Sequence, residues 1–359
     1  MKKNIALVTL DYPPETGGVA RYLGSLVRHA NGEMDVFVNE THPAEGPGKV
    51  EPVWMFSRGP ITWQPMIGLM RLLKKRGYQH VLVSHVLPVG TAAWIARMLG
   101  GLKYSVIVHG LDLRLARMSS KKTWLTKQVL RRAHTVIANS EAVAKEIRQL
   151  DPSLQPEVLT PGVEAFHATL QSEARQKLQI REGDKLVISI GRLVSRKGFD
   201  QLIEAIALLS ADIKLVIIGR GNDENRLRGL AKNNKERVRF VTDADDEQRN
   251  MWLSAADVFA LPARDEGADV EGFGIVYLEA AAHGLACIGG NSGGVPEAIL
   301  NGKTGMLVDP NHAGEIANAI QTLFEDPNRR IAMGRLGRER VRAEFRWETR
   351  TERLLALLK

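Results

Sequence analysis

Short runs of β-branched and aliphatic residues recur along this chain, separated by segments of helical periodicity, and the whole pattern occurs twice. The first set comprises 4–10 (NIALVTL), 34–38 (MDVFV), 80–84 (HVLVS), 104–108 (YSVIV) and 135–138 (TVIA), with helical patterns at 18–30, 64–76, 89–99 and 121–133. The second comprises 185–190, 213–218, 237–241, 257–261 and 285–289, with helical patterns at 199–210, 224–233, 246–254, 274–283 and 313–325. Strands too apolar to leave a face in water, joined by helix-length crossovers, predict parallel sheets covered by helices. The fold class is therefore α/β, with two doubly wound Rossmann-like domains facing each other across a cleft. The expected divisions are 1–165, 166–344 and a separate amphipathic helix at 345–359 that packs back towards the first domain.

In such sheets ligands sit beyond the carboxyl ends of the strands, so the loops there are where the chemistry is expected. After the first strand comes DYPPETGGVARYL, where Gly17 and Gly18 precede a helix and would let a phosphate or sugar approach the backbone. HGLD, 109–112, follows the strand 104–108 and places His109 at a strand's carboxyl end. GRLVSRKG, 191–198, leaves the strand 185–190; Arg192 as a fork and Lys197 as a point charge suit a diphosphate. The strand 257–261 leads through a polar loop to Glu271-Gly272-Phe273-Gly274, and a helix then carries Glu279. That helix start would present free N–H groups to a phosphate. Glu279 lies roughly 7–8 Å further down the helix, about the distance from a diphosphate to its ribose. Either the two glutamates form ordinary salt bridges, or they clamp the two ends of a nucleotide-sugar. Gly293-Gly294-Val295-Pro296-Glu297 adds a flexible turn and a helix start. No loop carries the G-x-G-x-x-G of a dinucleotide fold. Asp243-Ala244-Asp245 precedes a helix pattern and reads as an N-cap cluster.

Charge is unevenly placed. Residues 1–165 carry the whole net charge of +8, and within 58–132 fourteen Lys and Arg face one acid, Asp112, giving +13. Such a field calls for an anionic partner. The stretch 64–78 sets Arg71, Lys74, Lys75 and Arg76 among Met66, Ile67, Leu69, Met70, Leu72 and Leu73; 113–132 adds Lys121, Lys122 and Trp124. Basic amphipathic helices suit an anionic membrane surface. Nucleic acid is disfavoured, because no aromatic single-strand platform or known binding motif accompanies the charge. No apolar run is long enough to span a bilayer, the first apolar run is too short for a secretory signal, and the single cysteine, Cys287, fits a reducing compartment.

Taken in order, Gly17-Gly18, His109-Gly110-Leu111-Asp112, G-R-x-x-x-x-K-G, the Glu271/Glu279 pair and GGVPE resemble the retaining glycosyltransferases of the GT-B fold, family 4, along almost the whole chain. DVEGFGIVYLEA is most similar to the phosphatidylinositol mannosyltransferase type and its bacterial surface-polysaccharide relatives. The resemblance implies that Arg192 and Lys197 stabilise the leaving diphosphate. It implies that Glu271, Gly272, Phe273 and Gly274 hold the donor sugar and Glu279 the ribose. His109 would lie near donor sugar and acceptor, Asp112 with the acceptor, and Gly17 and Gly18 near the phosphates. The implied catalytic set is His109, Arg192, Lys197 and Glu271, with no metal or other cofactor. The donor would be GDP-mannose, with a UDP-sugar as the alternative, and the acceptor a lipid-linked or polysaccharide hydroxyl at the cytoplasmic membrane surface. Two other readings share the plan: a nucleotide-sugar epimerase or soluble glycoside synthase, and a non-catalytic sugar-binding subunit of a polysaccharide assembly complex.

Overall fold

The computed structural model describes residues 5–15, 17–58, 61–164 and 169–359. The chain forms two compact units, Met1–Gly162 with Trp347–Lys359, and Val163–Arg346. The expected division at 165/166 falls outside the described residues, and the C-terminal division lies at 346/347 rather than 344/345.

The first unit holds a seven-stranded sheet of β1 (Ile5–Val8), β2 (Met34–Asn39), β3 (Lys49–Val53), β4 (His80–Val83), β5 (Lys103–Val108), β6 (Val136–Ala138) and β7 (Glu157–Val158). Their order is β3-β2-β1-β4-β5-β6-β7, and every pairing is parallel. The second unit holds β8 (Lys185–Ile190), β9 (Ile213–Ile218), β10 (Val238–Val241), β11 (Val258–Leu261), β12 (Ala286–Gly290) and β13 (Gly305–Val308), in the order β10-β9-β8-β11-β12-β13. Strand order reverses between β1 and β4 in one unit and between β8 and β11 in the other. Those two switch points are where a doubly wound sheet opens a crevice at its carboxyl edge.

The central strands β1, β4 and β11 are buried along their whole length, as sheets covered on both faces require. Three strands that the sequence pattern missed, β3, β7 and β13, lie at sheet edges. β3 (KVEPV) carries a proline, which an edge strand tolerates, and β7 has only two residues. The helix Pro327–Glu344 was also missed. It packs through small residues, and a Cβ on Gly334 would stand 1.9 Å from the Gly284 carbonyl oxygen.

The helix Trp347–Leu358 packs on the first unit. Trp347 meets the Tyr22 ring edge-on at 5.5 Å, and Arg353 pairs with Glu157 at 2.9 Å. In the second unit Asp245 accepts from Gln248 N at 2.8 Å and Gln248 Oε1 accepts from Asp245 N at 3.2 Å, so the second aspartate of D-A-D is a helix cap in a capping box.

Candidate active site

The second unit's site is built by the loops that leave the two strands flanking its switch point. After β8 the chain runs through Gly191–Val194 into a short 3-10 turn, Ser195–Lys197, and then turns at Gly198 into the helix Phe199–Ala207. Gly198 has φ +69°, and a Cβ there would lie 2.0 Å from the Pro262 carbonyl oxygen, so glycine alone lets this loop touch the one after β11. Arg264 fastens the same two loops. Its N–H donates to Arg196 O at 2.8 Å, and its guanidinium reaches Asp200 at 3.0 and 3.1 Å and Ser195 Oγ at 2.9 Å.

Glu271 receives two cations from the β8 loop. Lys197 Nζ donates to Glu271 Oε2, and Arg196 Nη1 donates to the same oxygen at 2.7 Å. The Glu271 and Lys197 side chains are only 12% and 10% exposed. Burial pushes the Glu271 carboxyl up, but Lys197 and Arg196 outweigh it and hold the group at about 2. Burial lowers the Lys197 ammonium, against the pull of Glu271. Arg192 is exposed at the lip of the same loop and forms no ion pair with any described residue.

The Gly293-Gly294 turn supports Glu271 from behind. Gly294 N donates to Glu271 O at 2.9 Å, and Gly293, at φ +51°, brings its backbone so close that a Cβ would sit 2.3 Å from that oxygen. Phe273 is buried against Phe345. Gly272 lies in the same turn, and Gly274, left-handed at φ +87°, caps the helix Ile275–Ala282. Glu279, on that helix, accepts from Arg249 Nη2 at 3.0 Å.

The first unit repeats the geometry with different chemistry. Asp11 follows β1 and His85 follows β4; His85 Nε2 lies 3.1 Å from Asp11 Oδ2. Ser84 Oγ holds His85 Nδ1 at 2.8 Å and donates to Thr9 Oγ1 at 2.7 Å. The hydrogen bond to His85 keeps the Asp11 carboxyl below its ordinary value, against burial. His109, at the end of β5, stands edge-on to Tyr22 at 5.5 Å, and its buried Nε2 has no hydrogen-bond partner among the described residues. Burial, assisted by His85, pushes its pKa down to about 3, so the ring is neutral at pH 7. Asp112 spends its carboxylate on backbone, accepting from Val86 N at 3.2 Å and Leu113 N at 3.1 Å, and burial raises its pKa. Gly17, extended at φ −164°, and Gly18 open the helix Gly18–His29, and a Cβ on either would meet nothing within 4 Å. Packing among the described residues therefore does not demand glycine at either position.

Of the basic helix Pro65–Lys75, Met66, Leu69, Met70 and Leu73 belong to the core of the first unit. Its apolar side is thus already covered, and Arg71, Leu72, Lys74 and Lys75 face water. Lys74 Nζ donates to Gly100 O at 2.5 Å, and Arg76 pairs with Glu51 at 2.5 Å. The larger exposed apolar surface lies on the helix Leu111–Arg117 and just after it: Leu111, Leu115 and, at 79% exposure, Met118. Exposed Lys121, Lys122 and Trp124 follow on the helix Ser120–Arg132. Among the described residues no helix is long and apolar enough to cross a membrane, and no group of three or more His, Cys, Asp or Glu could hold a metal ion.

Arg196, Asp269, Arg249, Asp11 and His85 join these sites without a motif to mark them. Arg196 was visible as the neighbour of Lys197, and Asp11 and His85 as polar residues directly after strands. Nothing local marked Arg249 as the partner of a residue thirty positions away.

Two parallel, doubly wound units with polar loops at both switch points are the plan of the GT-B glycosyltransferases. Residues 16–165 match the model of Glycosyltransferase Family 4, and residues 171–340 that of Glycosyl transferases group 1. A GDP-mannose-dependent alpha-(1-6)-phosphatidylinositol monomannoside mannosyltransferase of Mycolicibacterium smegmatis is 33% identical, covering 98% of this chain and 97% of its own. The GDP-mannose-dependent monoacylated alpha-(1-6)-phosphatidylinositol monomannoside mannosyltransferase of Corynebacterium glutamicum is 30% identical over the same shares. Among solved structures, sucrose-phosphate synthase from Thermosynechococcus elongatus superposes with a TM-score of 0.84 at 25% identity, covering 99% of this chain and 98% of its own. The chain belongs to glycosyltransferase family 4 and is a hexosyltransferase.

Proposed function

We propose that this enzyme transfers mannose from GDP-mannose, with retention of configuration, to a hydroxyl of a lipid-linked or glycan acceptor at the cytoplasmic face of the membrane. The observation that carries the reading is the cluster of Lys197, Arg196 and Glu271 at the second unit's switch point. The choice of mannose and of a lipid acceptor rests on the names of the relatives.

In this reading the second unit binds the donor. Lys197 and exposed Arg192 take the diphosphate, Glu271 and the Gly272–Gly274 turn take the sugar hydroxyls, and Glu279 takes the ribose. The first unit binds the acceptor, with Asp11 and neutral His109 facing it, and the open backbone of Gly17 and Gly18 admits phosphate. The bond between the anomeric carbon and the diphosphate oxygen breaks while the acceptor oxygen bonds to that carbon on the same face. The acceptor proton passes to the departing phosphate. Cations held around the diphosphate stabilise the charge that develops on it. Exposed Leu111, Leu115, Met118 and Trp124, flanked by Lys121 and Lys122, form the patch that would meet an anionic bilayer, and Arg71, Lys74, Lys75 and Arg76 add charge.

The test is mannosyl transfer from GDP-mannose, with UDP-glucose as competitor, to vesicles containing phosphatidylinositol mannosides in an anionic or a neutral lipid background. The expected result is an α-linked product from GDP-mannose, faster on anionic vesicles. A β-linked product, use of the UDP-sugar alone, or conversion of GDP-mannose without any acceptor would overturn the proposal.

A further inference from the structure

We propose that Arg196, anchored by Asp269, is a positioning residue that fixes the Glu271 carboxylate for the donor sugar. The inference rests on the reading of Glu271 as the sugar clamp. Glu271 is nearly buried, and both of its hydrogen bonds from cations go to Oε2; Oε1 has no partner among the described residues. One oxygen is held and the other is presented, as a carboxylate needs when it must accept from a ligand hydroxyl in one orientation.

The two cations on Oε2 are not equivalent. Lys197 is the residue expected to serve the diphosphate, and its ammonium sits on a flexible stem and pairs with no second carboxylate among the described residues. When it turns towards phosphate, a buried Glu271 would be left without a compensating charge, which is strongly unfavourable. Arg196 stays behind. Its Nη1 donates to Glu271 Oε2 at 2.7 Å, and its Nε lies 2.8 Å from Asp269 Oδ1 in an ion pair without hydrogen-bond alignment, so the guanidinium sits between two carboxylates. Its backbone is pinned as well, because Arg196 O accepts from Arg264 N at 2.8 Å. The side chain is 13% exposed and its planar fork cannot swing away without breaking both pairs. Arg196 therefore couples the loop after β8 to the sugar clamp after β11 while Lys197 is free to change partners.

The experiment is calorimetric titration of the full chain and of Arg196→Gln with GDP and with GDP-mannose. GDP lacks the sugar but carries about one more negative charge on its terminal phosphate, so the shift of the affinity ratio from wild type to variant, and not the ratio itself, reports the sugar contact. Arg196→Gln should lower the GDP-mannose affinity at least tenfold relative to wild type and leave that for GDP within about twofold. Arg196→Lys should restore part of the difference. Asp269→Asn, a change at a half-exposed side chain, should move the ratio in the same direction by a smaller factor, and this guards against an Arg196 variant that folds poorly. Equal losses for both ligands would place Arg196 in the diphosphate site or the general packing of the loop and overturn the inference, as would an unchanged ratio in both variants. A Glu271→Gln variant whose affinity ratio equals that of wild type would sink the sugar-clamp reading itself, and this inference with it.

Discussion

The two units share a strand order and differ in what their switch points hold. In the first, a carboxylate and an imidazole, Asp11 and His85, meet at 3.1 Å, and buried His109 stands nearby with one ring nitrogen unpartnered. In the second, a nearly buried carboxylate is held by two cations. The glycines differ in the same sense. Gly198 is required by its own fold, with a positive φ and a carbonyl where a Cβ would be, whereas Gly17 and Gly18 border open space. One topology thus yields a site where two cations compensate a nearly buried carboxylate and another where a carboxylate meets an imidazole. The loops decide the difference, because the strands in both units are occupied with packing against helices.

The sharpest way to break the comparison is Glu271→Ala. Transfer should fall by about 10²–10³-fold, as when one preorganised polar group is removed from a reacting site. GDP binding should persist, since Lys197 is released rather than lost. Steady-state transfer rates alongside GDP calorimetry check this, and near-normal transfer would move the clamp elsewhere.

Acid should separate the units next. Burial, helped by His134, Lys103 and Arg97, lowers His80 to about 4. His109 lies at about 3, and among the described residues of the second unit His283 is the one comparable ring, also at about 3. A histidine whose folded pKa is depressed costs nothing above its unfolded value near 6.5. As pH falls below that value, the unfolded chain takes up a proton that the folded chain refuses. At pH 4.5 His80 alone should cost about 2–3 kcal/mol. Hydrogen exchange at pH 7 and pH 4.5 should show β4 and β5 losing more protection than β11 and β12, and His80→Gln should shrink the gap.

The smallest contrast sharpens the glycine comparison. Gly198→Ala should destabilise the protein by about 2 kcal/mol through strain and overpacking. Gly17→Ala should change stability by less than about 0.5 kcal/mol yet slow transfer. Thermal melts and rates on the same preparations read both effects, and a Gly17→Ala variant with unchanged rate would remove that glycine from the ligand site.

The sequence alone determined the two-unit parallel architecture, because strands buried on both faces must be apolar along their length and crossover helices must follow them. It also pointed to the loops at the carboxyl ends of the strands, since Lys197, Glu271 and His109 each follow one. It passed over edge strands β3, β7 and β13, where half the backbone is unpaired and apolar continuity is not required. The amphipathic pattern of 64–76 invited a membrane-facing assignment, but only packing decided that Met66, Leu69, Met70 and Leu73 fill the core while Leu111, Leu115 and Met118 stay exposed. The choice between salt bridge and ligand clamp for Glu271 and Glu279 could not be made from spacing either. Both glutamates are ion-paired, to Lys197 with Arg196 and to Arg249, partners about 74 and 30 positions away. Pairings of that range are set by which strands lie side by side, and Glu271 Oε1 lacks a partner among the described residues because the fold brings both cations to Oε2.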